Sequence, residues 1–177
     1  MNRIFGAILN YLFNEWISHF PCHWLRRGFL RLFNKNIHKK SVILMHVRIL
    51  NFWKLQLKEN VVINQNCLLD CRRFNIRIGS NTDIGPFTRI WTLGHDPDSE
   101  THDVVGADVI IGSHVWIASG VTILPGIEIS DGAVVAAASV VTKNVTRLAV
   151  IAGNPAKELR KRRNNLEYTL HYKPLLD

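Results

Sequence analysis

Branched aliphatic residues recur at every sixth position between residues 105 and 142. Seven successive steps open with Ile or Val: Val105, Ile111, Ile117, Ile123, Ile129, Val135 and Val141. The residue four places further on is apolar or small in every step. A period of six matches neither the 3.6-residue period of an α-helix nor the two-residue period of a half-buried strand. A short fixed repeat predicts an all-β solenoid, in which each step supplies one short strand and one corner.

Three such steps close one triangular coil of a parallel β-helix, so residues eighteen positions apart should stack on one another. The predicted stacks are Val105 with Ile123 and Val141, Ile111 with Ile129, and Ile117 with Val135. The corners favour residue types that tolerate a positive φ angle, which are Gly, Asn and Asp. The fourth place of the steps carries Asp108, Gly120, Gly126, Gly132 and Asn144, with His114 and Ala138 as exceptions. The spacing of the aliphatic residues and the placing of the corner residues share one six-residue register, and together they support the β-helix.

The hydrophobic pattern divides the chain into three parts. Residues 41–150 carry the repeat, although its register is loose before residue 57. Residues 1–40 show helical periodicity interrupted by Pro21, and we expect them to form a helical cap over the open end of the β-helix. The same segment is also compatible with attachment to a membrane surface. Residues 151–177 are expected to form a turn, a short basic helix and a tail.

One interruption breaks the repeat in its middle. The step after Ile90 should open at residue 96, but it opens nine positions later, at Val105. We therefore expect residues 91–104 to form a loop extruded from one coil. This segment is polar and contains His95 and four acidic residues. Loops that interrupt a regular scaffold often carry function, so this loop is the expected location of an active site.

The net charge of +8 is concentrated at the two ends of the 177-residue chain. Residues 1–50 carry eight Lys and Arg residues against one acid, and residues 143–177 carry eight against three. Candidate partners are a phosphate-bearing cofactor and an anionic membrane surface, because no nucleic-acid-reading motif is present. Three cysteines without a CxxC pair argue against a zinc site or a disulfide framework and favour a reducing cytoplasm. The apolar segment at residues 4–13 is too short to span a bilayer.

The repeat and three short motifs together resemble the hexapeptide-repeat acyltransferases. The motifs are Gly94-His95-Asp96, Val115-Trp116-Ile117-Ala118-Ser119 and Asn64-Gln65-Asn66-Cys67-Leu68-Leu69-Asp70. Within that family the chain is similar to the maltose and galactoside acetyltransferases and to the O-acetyltransferases of polysaccharide biosynthesis. The resemblance implies a left-handed β-helix, a homotrimer with active sites between subunits, and acetyl-CoA as the acyl donor. It implies no metal ion.

His95 is the candidate general base. Acyl transfer from a thioester to a hydroxyl needs a base near neutral pH, and an unperturbed imidazole, with a pKa of about 6.5, suits that role. The resemblance implies the same role, because Gly94-His95-Asp96 matches the family's catalytic histidine motif. It also implies that the backbone N–H of Ser119 stabilises the tetrahedral oxyanion.

The resemblance further assigns residues to the two substrates. The implied acceptor-binding residues are Asn66, Asp70, Arg72 and Trp116, of which Trp116 should point outwards towards a neighbouring subunit. Asn66 also falls on a corner place that favours Asn for its backbone alone. The implied CoA-binding residues are Ser119, Ala137, Thr142, Lys143, Lys157 and Arg160, with Lys157 and Arg160 at the phosphates.

The sequence thus predicts an acetyl-CoA-dependent O-acetyltransferase that modifies a sugar hydroxyl in the biosynthesis of a surface polysaccharide. Two alternatives stay open: an N-acetyltransferase acting on an amino sugar or other small acceptor, and a non-catalytic β-helix scaffold. A metal-dependent β-helix carbonic anhydrase is disfavoured, because His95, His102 and His114 do not fall at matching places eighteen residues apart. We expect a cytoplasmic protein, with residues 1–40 as the candidate contact to the inner face of the membrane.

Overall fold

The computed structural model describes residues 3–174. Two helices come first, α1 (Arg3–Glu15) and α2 (His23–Phe33), with a 3-10 turn at Ile17–His19 between them. Short strands follow, with a second 3-10 turn at Phe52–Lys54. In chain order the strands are β1 (Val42–Ile43), β2 (Arg48–Leu50), β3 (Leu55–Leu57), β4 (Val62–Ile63), β5 (Leu68–Asp70), β6 (Ile76–Ile78), β7 (Asp83–Ile84), β8 (Arg89–Trp91), β9 (Leu93–His95), β10 (Val104–Gly106), β11 (Val109–Ile111), β12 (Trp116–Ile117), β13 (Thr122–Ile123), β14 (Glu128–Ile129), β15 (Val134–Val135), β16 (Val140–Val141), β17 (Ala149–Gly153) and β18 (Ala156–Lys161).

Most of these strands build three parallel sheets that the chain visits in rotation. Face 1 contains β1, β4, β7, β12, β15 and β17, with β18 added antiparallel at its edge. Face 2 contains β2, β5, β8, β13 and β16, and face 3 contains β3, β6, β11 and β14. The inward side chains of all three faces form one continuous core, mainly of Ile, Val and Leu. This arrangement is a parallel β-helix, with one corner between each pair of faces.

Most of the predicted stacking is confirmed, and one member is wrong. The confirmed pairs are Ile111 with Ile129, Ile117 with Val135, and Ile123 with Val141. The place beside Ile123 in the preceding coil belongs to Ile90 and not to Val105. Val105 lies in β10, antiparallel to Gly94, and is 46% exposed. The inserted residues carry Val105 out of the coil, and face 3 resumes only at Val109.

Left-handed backbone marks the corners. Gly120, Gly126 and Gly132 have φ angles of 70°, 76° and 69°, as the repeat predicts. His114 and Ala138, the two exceptions in the repeat, also adopt positive φ angles, of 56° and 57°, although Ala does not favour that region. The coil geometry therefore imposes the corner conformation even where the residue does not prefer it.

Two predicted corner residues, Asp108 and Asn144, do not have a positive φ. Their side-chain oxygens instead accept hydrogen bonds from backbone N–H groups of neighbouring coils. Asp108 accepts from Asn75 at 2.7 Å, and Asn144 accepts from Glu128 at 2.9 Å. These residues therefore stabilise their corners through side-chain hydrogen bonds, for which Asp and Asn are also suited.

The predicted C-terminal helix is wrong. The basic segment Ala156–Lys161 forms β18, which pairs antiparallel with β17. Residues 162–174 continue without regular secondary structure. The reason lies in the last coil, because β17 without β18 would present an unpaired strand edge.

Three polar side chains from the helical segment occupy the open edge of the first coil. They are Arg26, whose Nε donates to the Ile43 carbonyl on face 1 (3.0 Å), Asn14, which pairs with Ile49 on face 2, and Asn34, whose Nδ2 donates to the Leu55 carbonyl on face 3 (2.8 Å). The Asn14 carboxamide makes two bonds, donating to the Ile49 carbonyl at 2.9 Å and accepting from the Ile49 N–H at 2.8 Å. Each face thus begins with a hydrogen bond to residues outside the coils, which satisfies backbone groups that no earlier coil can pair.

Replacing Asn14 with Ala should destabilise the protein, because it leaves the N–H and the carbonyl of the buried Ile49 unpaired. We expect a loss of about 1–3 kcal/mol for each unpaired group, measured by urea denaturation. Asn165→Ala, at an exposed position, is the matched control and should change stability by less than about 0.5 kcal/mol. Equal denaturation midpoints for the two variants would show that the carboxamide does not support the first coil.

Candidate active site

The segment expected as an extruded loop is an antiparallel hairpin of β9 and β10. It leaves the β-helix after β8, at the corner between faces 2 and 3, and the chain returns at β11. The next coil still pairs directly with β8, through Ile123 and Ile90. The hairpin is therefore an insertion that leaves the stacking beneath it intact, and it holds His95 outside the coil.

The His95 imidazole has one nitrogen engaged and one free to act as a base. Its Nδ1 lies 3.0 Å from the carbonyl oxygen of His102, across the hairpin. Because a carbonyl oxygen can only accept, neutral His95 must carry its proton on Nδ1, which leaves the lone pair on Nε2. The His102 ring also stacks on the His95 ring, with centroids 3.7 Å apart and planes 9° from parallel.

No functional role is predicted for His102 from the sequence. Its φ angle of 55° is part of the turn that brings its carbonyl oxygen to His95. The two residues are seven positions apart, and only the pairing of β9 with β10 brings them together. A histidine within a polar insertion was the one available signal, and it does not distinguish a positioning role from a solvated side chain.

The corner between faces 1 and 2 brings together three of the predicted site residues. Successive coils turn there at Asn66, Phe87, Gly120 and Ala138, all with positive φ. The N–H of Ala138 donates to the Ser119 carbonyl at 2.9 Å, and the N–H of Gly120 donates to the Pro86 carbonyl at 2.8 Å. The residues directly before these two in the chain are Ser119 and Ala137. Neither donates a backbone hydrogen bond within residues 3–174. Their N–H groups are available to a ligand, on the same edge as the exposed Asn66 side chain.

The corner between faces 2 and 3 carries a second group of predicted residues. Asp70 pairs with Trp91 at the base of the hairpin, and the Thr92 hydroxyl donates to the Asp70 carbonyl oxygen at 2.6 Å. Thr142 and Lys143 follow β16 at the same corner and are exposed. The predicted residues therefore line both edges of face 2.

Asp70 and Arg72 form a bidentate ion pair. Arg72 donates from Nε to Oδ1 at 2.9 Å and from Nη2 to Oδ2 at 2.8 Å. The Asp70 side chain is fully buried, whereas the Arg72 side chain is half exposed. The hydrogen bonds to Asp70 raise the pKa of the Arg72 guanidinium above its ordinary value. In the single chain the carboxylate thus contacts Arg72, and the guanidinium is the group that faces solvent.

The remaining predicted residues lie on face 1. Trp116 is half exposed on β12, the strand that leads to Ser119. Lys157 and Arg160 lie on β18, opposite Ala152 and Val150. The turn that precedes Lys157 lies next to the corner between faces 1 and 2, because the Gly153 N–H donates to the Ser139 hydroxyl at 3.1 Å. Lys157 is therefore near the end of the edge that carries Ser119, and Arg160 lies further along the strand.

The thiols next to the site are unsuited to covalent catalysis. Cys67 follows Asn66, and Cys71 follows Asp70, and both side chains are buried. Burial raises the pKa of the Cys67 thiol to about 12, and it also raises that of Cys71. A neutral thiol is a poor nucleophile, so the arrangement favours direct transfer over an acyl-cysteine. Among residues 3–174, no three His, Cys, Asp or Glu side chains are grouped so that they could hold a metal ion.

Two cavities are relevant to ligand binding. One, of about 370 Å³, lies on face 2 and includes Asn66, with Arg48 and Leu68 in its wall. The other, of about 860 Å³, lies between α2 and the C-terminal segment, and no predicted site residue lines it. The smaller cavity is within the range of small-molecule sites and adjoins the edge that carries Ser119.

Comparison with protein-family models and with curated proteins gives no match. Among solved structures, a maltose O-acetyltransferase from Clostridium difficile 630 is 29% identical, with a TM-score of 0.76 over 92% of this chain and 87% of that chain. A hexapeptide-repeat-containing acetyltransferase from Vibrio cholerae O1 biovar eltor, complexed with acetyl-CoA, is 25% identical, with a TM-score of 0.77 over 92% of this chain and 87% of that chain. An N-acyltransferase from Bacillus cereus, 17% identical, has a TM-score of 0.67 over 82% of this chain and 94% of that chain, and shows the shared fold alone.

These neighbours confirm the resemblance that the repeat and the short motifs indicate. They include a maltose O-acetyltransferase and a hexapeptide-repeat acetyltransferase, and they cover nearly the whole chain. The similarity is to acetyltransferases, and the second of these neighbours was solved with acetyl-CoA bound.

Arg72→Ala should destabilise the protein, because it leaves the buried Asp70 carboxylate without its partner. Water can reach the half-exposed Arg72 position, so we expect a loss of about 1–3 kcal/mol in urea denaturation, below the value for a fully buried pair. Arg73→Ala is the matched control, since Arg73 is exposed and makes no ion pair within the described residues. If both variants unfold at the same urea concentration, the ion pair has no structural role.

Proposed function

We propose that the protein transfers an acetyl group from acetyl-CoA to a sugar hydroxyl, with His95 as the general base. The observation that carries this proposal is the hydrogen bond between His95 Nδ1 and the His102 carbonyl oxygen. The Nδ1–H group is engaged by the His102 carbonyl at 3.0 Å, so Nε2 is the nitrogen that can accept a proton. The acetyltransferase neighbours, one solved with acetyl-CoA, support the donor and the type of reaction.

In the proposed reaction, His95 Nε2 removes the proton of the acceptor hydroxyl while the hydroxyl oxygen attacks the thioester carbonyl carbon. The tetrahedral oxyanion that forms accepts a hydrogen bond from a Ser119 N–H, which is free of other partners in the described chain. Because Ser119 and the His95 hairpin lie on opposite edges of face 2 in one chain, this Ser119 would belong to a neighbouring subunit. The carbon–sulfur bond then breaks, and the departing CoA sulfur takes the proton from His95. The products are an acetyl ester and free CoA, and no acyl-enzyme is formed.

The binding roles follow the two edges of face 2. We assign the pantetheine arm to the free N–H of Ala137 in one subunit and to Thr142 and Lys143 of its neighbour, because these residues lie on opposite edges of face 2 in one chain. We assign the phosphates to Lys157 and Arg160. Asn66 has an exposed side chain beside the 370 Å³ cavity and is assigned to the acceptor.

Asp70 and Arg72 are assigned to the acceptor as a unit. Because both Asp70 oxygens are bonded to Arg72, the guanidinium would present the outward donors, and Asp70 would hold it in place. This arrangement suits an acceptor that offers hydroxyl or anionic oxygens.

We further propose a cytoplasmic homotrimer that acts in the biosynthesis of a surface polysaccharide. In the single chain His95 is exposed, and a site open to water would hydrolyse the thioester. The exposed aromatic side chains Phe87 and Trp116 lie beside the corner that carries Ser119, where the β-helix of a neighbouring subunit would cover them. Each site would then be completed between two subunits, with Trp116 at its border.

N-acetylation of an amino sugar is the second candidate, because an N-acyltransferase shares the fold. The two products differ chemically, since hydroxylamine cleaves an acetyl ester and leaves an amide intact. This difference is included in the assay below.

His95→Ala should lower turnover by about 10²–10⁴-fold, because the reaction loses its general base. We would measure thioester cleavage with acetyl-CoA and a panel of sugars, nucleotide sugars and lipid-linked glycans, and treat each product with hydroxylamine. His171→Ala, an exposed histidine of the C-terminal segment, is the control and should retain turnover.

Calorimetry should show that His95→Ala still binds CoA. Near-normal turnover of this variant would remove His95 as the base, and a hydroxylamine-resistant product would favour the amide. Wild-type protein that neither binds CoA nor cleaves acetyl-CoA would favour a scaffold.

Trp116→Asp should break the assembly, because it places a charge in the proposed subunit contact. Light scattering after size exclusion should give three times 20.2 kDa for the wild type and 20.2 kDa for the variant. Trp24→Asp is the matched control, since Trp24 is similarly exposed but lies on α2, outside the three faces. A wild-type mass of one chain would exclude the trimer.

A further inference from the structure

The helix α1 is apolar on two opposite faces. Its inward residues, among them Leu9 and Phe13, join the core, where the Phe13 ring lies 6.1 Å from that of Phe29. The opposite side carries large apolar residues that are between 39% and 69% exposed: Ile4, Phe5, Ile8, Tyr11, Leu12 and Trp16. Isolated apolar residues on a surface are ordinary, but five on one helix of 13 residues, with Trp16 directly after it, form an apolar patch.

The helix α2 also exposes aromatic and basic residues. Arg26 and Leu30 face inward and are buried, so the residues on the opposite side of the helix point away from the β-helix. Trp24, Arg27 and Arg31 occupy that outer side, at the spacing of one helical stripe, and Trp24 and Arg27 also border the 860 Å³ cavity beside the C-terminal segment. Phe20, in the connection between the helices, is also half exposed.

Only part of the positive charge of this region is paired with acidic side chains within the described residues. Arg48 pairs with Glu15, and Lys40 pairs with Glu59. Within residues 3–174 no ion pair forms at Arg27, Arg31, Lys35 or Lys39.

Arg27 illustrates the resulting crowding of positive charge. Burial first, and the charge of Arg31 second, lower the pKa of its guanidinium below the ordinary value. An external anion placed between these groups would relieve the repulsion.

We propose that α1 and α2 dock this protein on an anionic phospholipid bilayer, with the apolar side of α1 in the interface and the cations of α2 on lipid phosphates. Neither helix in the described chain is long and apolar enough to cross a membrane, so the helices would lie along its surface. Trp and Tyr side chains favour that interfacial depth, where Tyr11, Trp16 and Trp24 would lie.

A bilayer fits this surface better than a second copy of the chain. Packing two such helical surfaces against each other would bring two sets of unpaired cations together, which is unfavourable. Lipid phosphates supply the complementary charge, and the docking does not depend on the proposed acyl transfer. It would fix the N-terminal end of the β-helix against the membrane, with face 2 standing away from it.

The test is co-sedimentation with vesicles of phosphatidylcholine containing phosphatidylglycerol, against vesicles of phosphatidylcholine alone. The full-length wild type should bind the anionic vesicles at least about tenfold more strongly, and added salt should weaken this binding. Arg31→Glu with Lys35→Glu should abolish the preference for anionic lipid. Ile8→Glu with Leu12→Glu should lower binding by about tenfold or more, because the apolar side can no longer enter the interface.

Leu159→Glu is the matched control, because Leu159 is 67% exposed and lies on β18, at the opposite end of the β-helix. It should bind vesicles as the wild type does, and circular dichroism should show that all variants are folded. Absence of wild-type binding to anionic vesicles, or equal binding by all variants, would overturn the proposal. It would also be overturned if Ile8→Glu with Leu12→Glu reduced the oligomeric mass, because a second copy would then cover α1.

Discussion

A parallel β-helix depends on each coil to pair the backbone groups of the coils on either side. The first and last coils lack one of these neighbours, so each needs a partner that is not part of the repeat. At the first coil the partners are side chains, and the Asn14 carboxamide bonds the N–H and the carbonyl of Ile49 as a strand would. At the last coil the partner is a true strand, β18, which folds back on β17. The non-repeating ends of this chain are thus explained by the same requirement as its repeating middle.

The stacked coils also allow the chain to carry a long insertion without losing its register. The hairpin leaves at Trp91, yet Ile90 and Ile123 still pair across the gap. The base of the hairpin is tied to the preceding coil, where Thr92 bonds the Asp70 carbonyl and Asp70 bonds Arg72. A base mounted on such a hairpin has a defined position relative to face 2, as acid–base chemistry requires.

The corner between faces 1 and 2 links the fold to the proposed chemistry. A positive φ at Gly120 and Ala138 turns the chain, and it directs their N–H groups to the carbonyls of the preceding coil. The same turns leave the N–H groups of Ser119 and Ala137 unpaired in the described chain. An edge of unpaired N–H donors is therefore a product of the coil geometry, and it needs no special side chain.

The sequence by itself determined the β-helix, most of its stacks and the position of the insertion, because side-chain direction repeats with the coil and most core places carry an apolar residue. It also predicted His95 as the candidate base, through the type of residue and its place in the insertion. Only the tertiary structure decided that His102 sets the tautomer of His95, that Arg72 covers both oxygens of Asp70, and that the basic segment after Pro155 is a strand. Each of these depends on contacts between parts of the chain whose relative direction no local pattern encodes. A charged run is compatible with helix or strand, and here the open edge of β17 favours the strand.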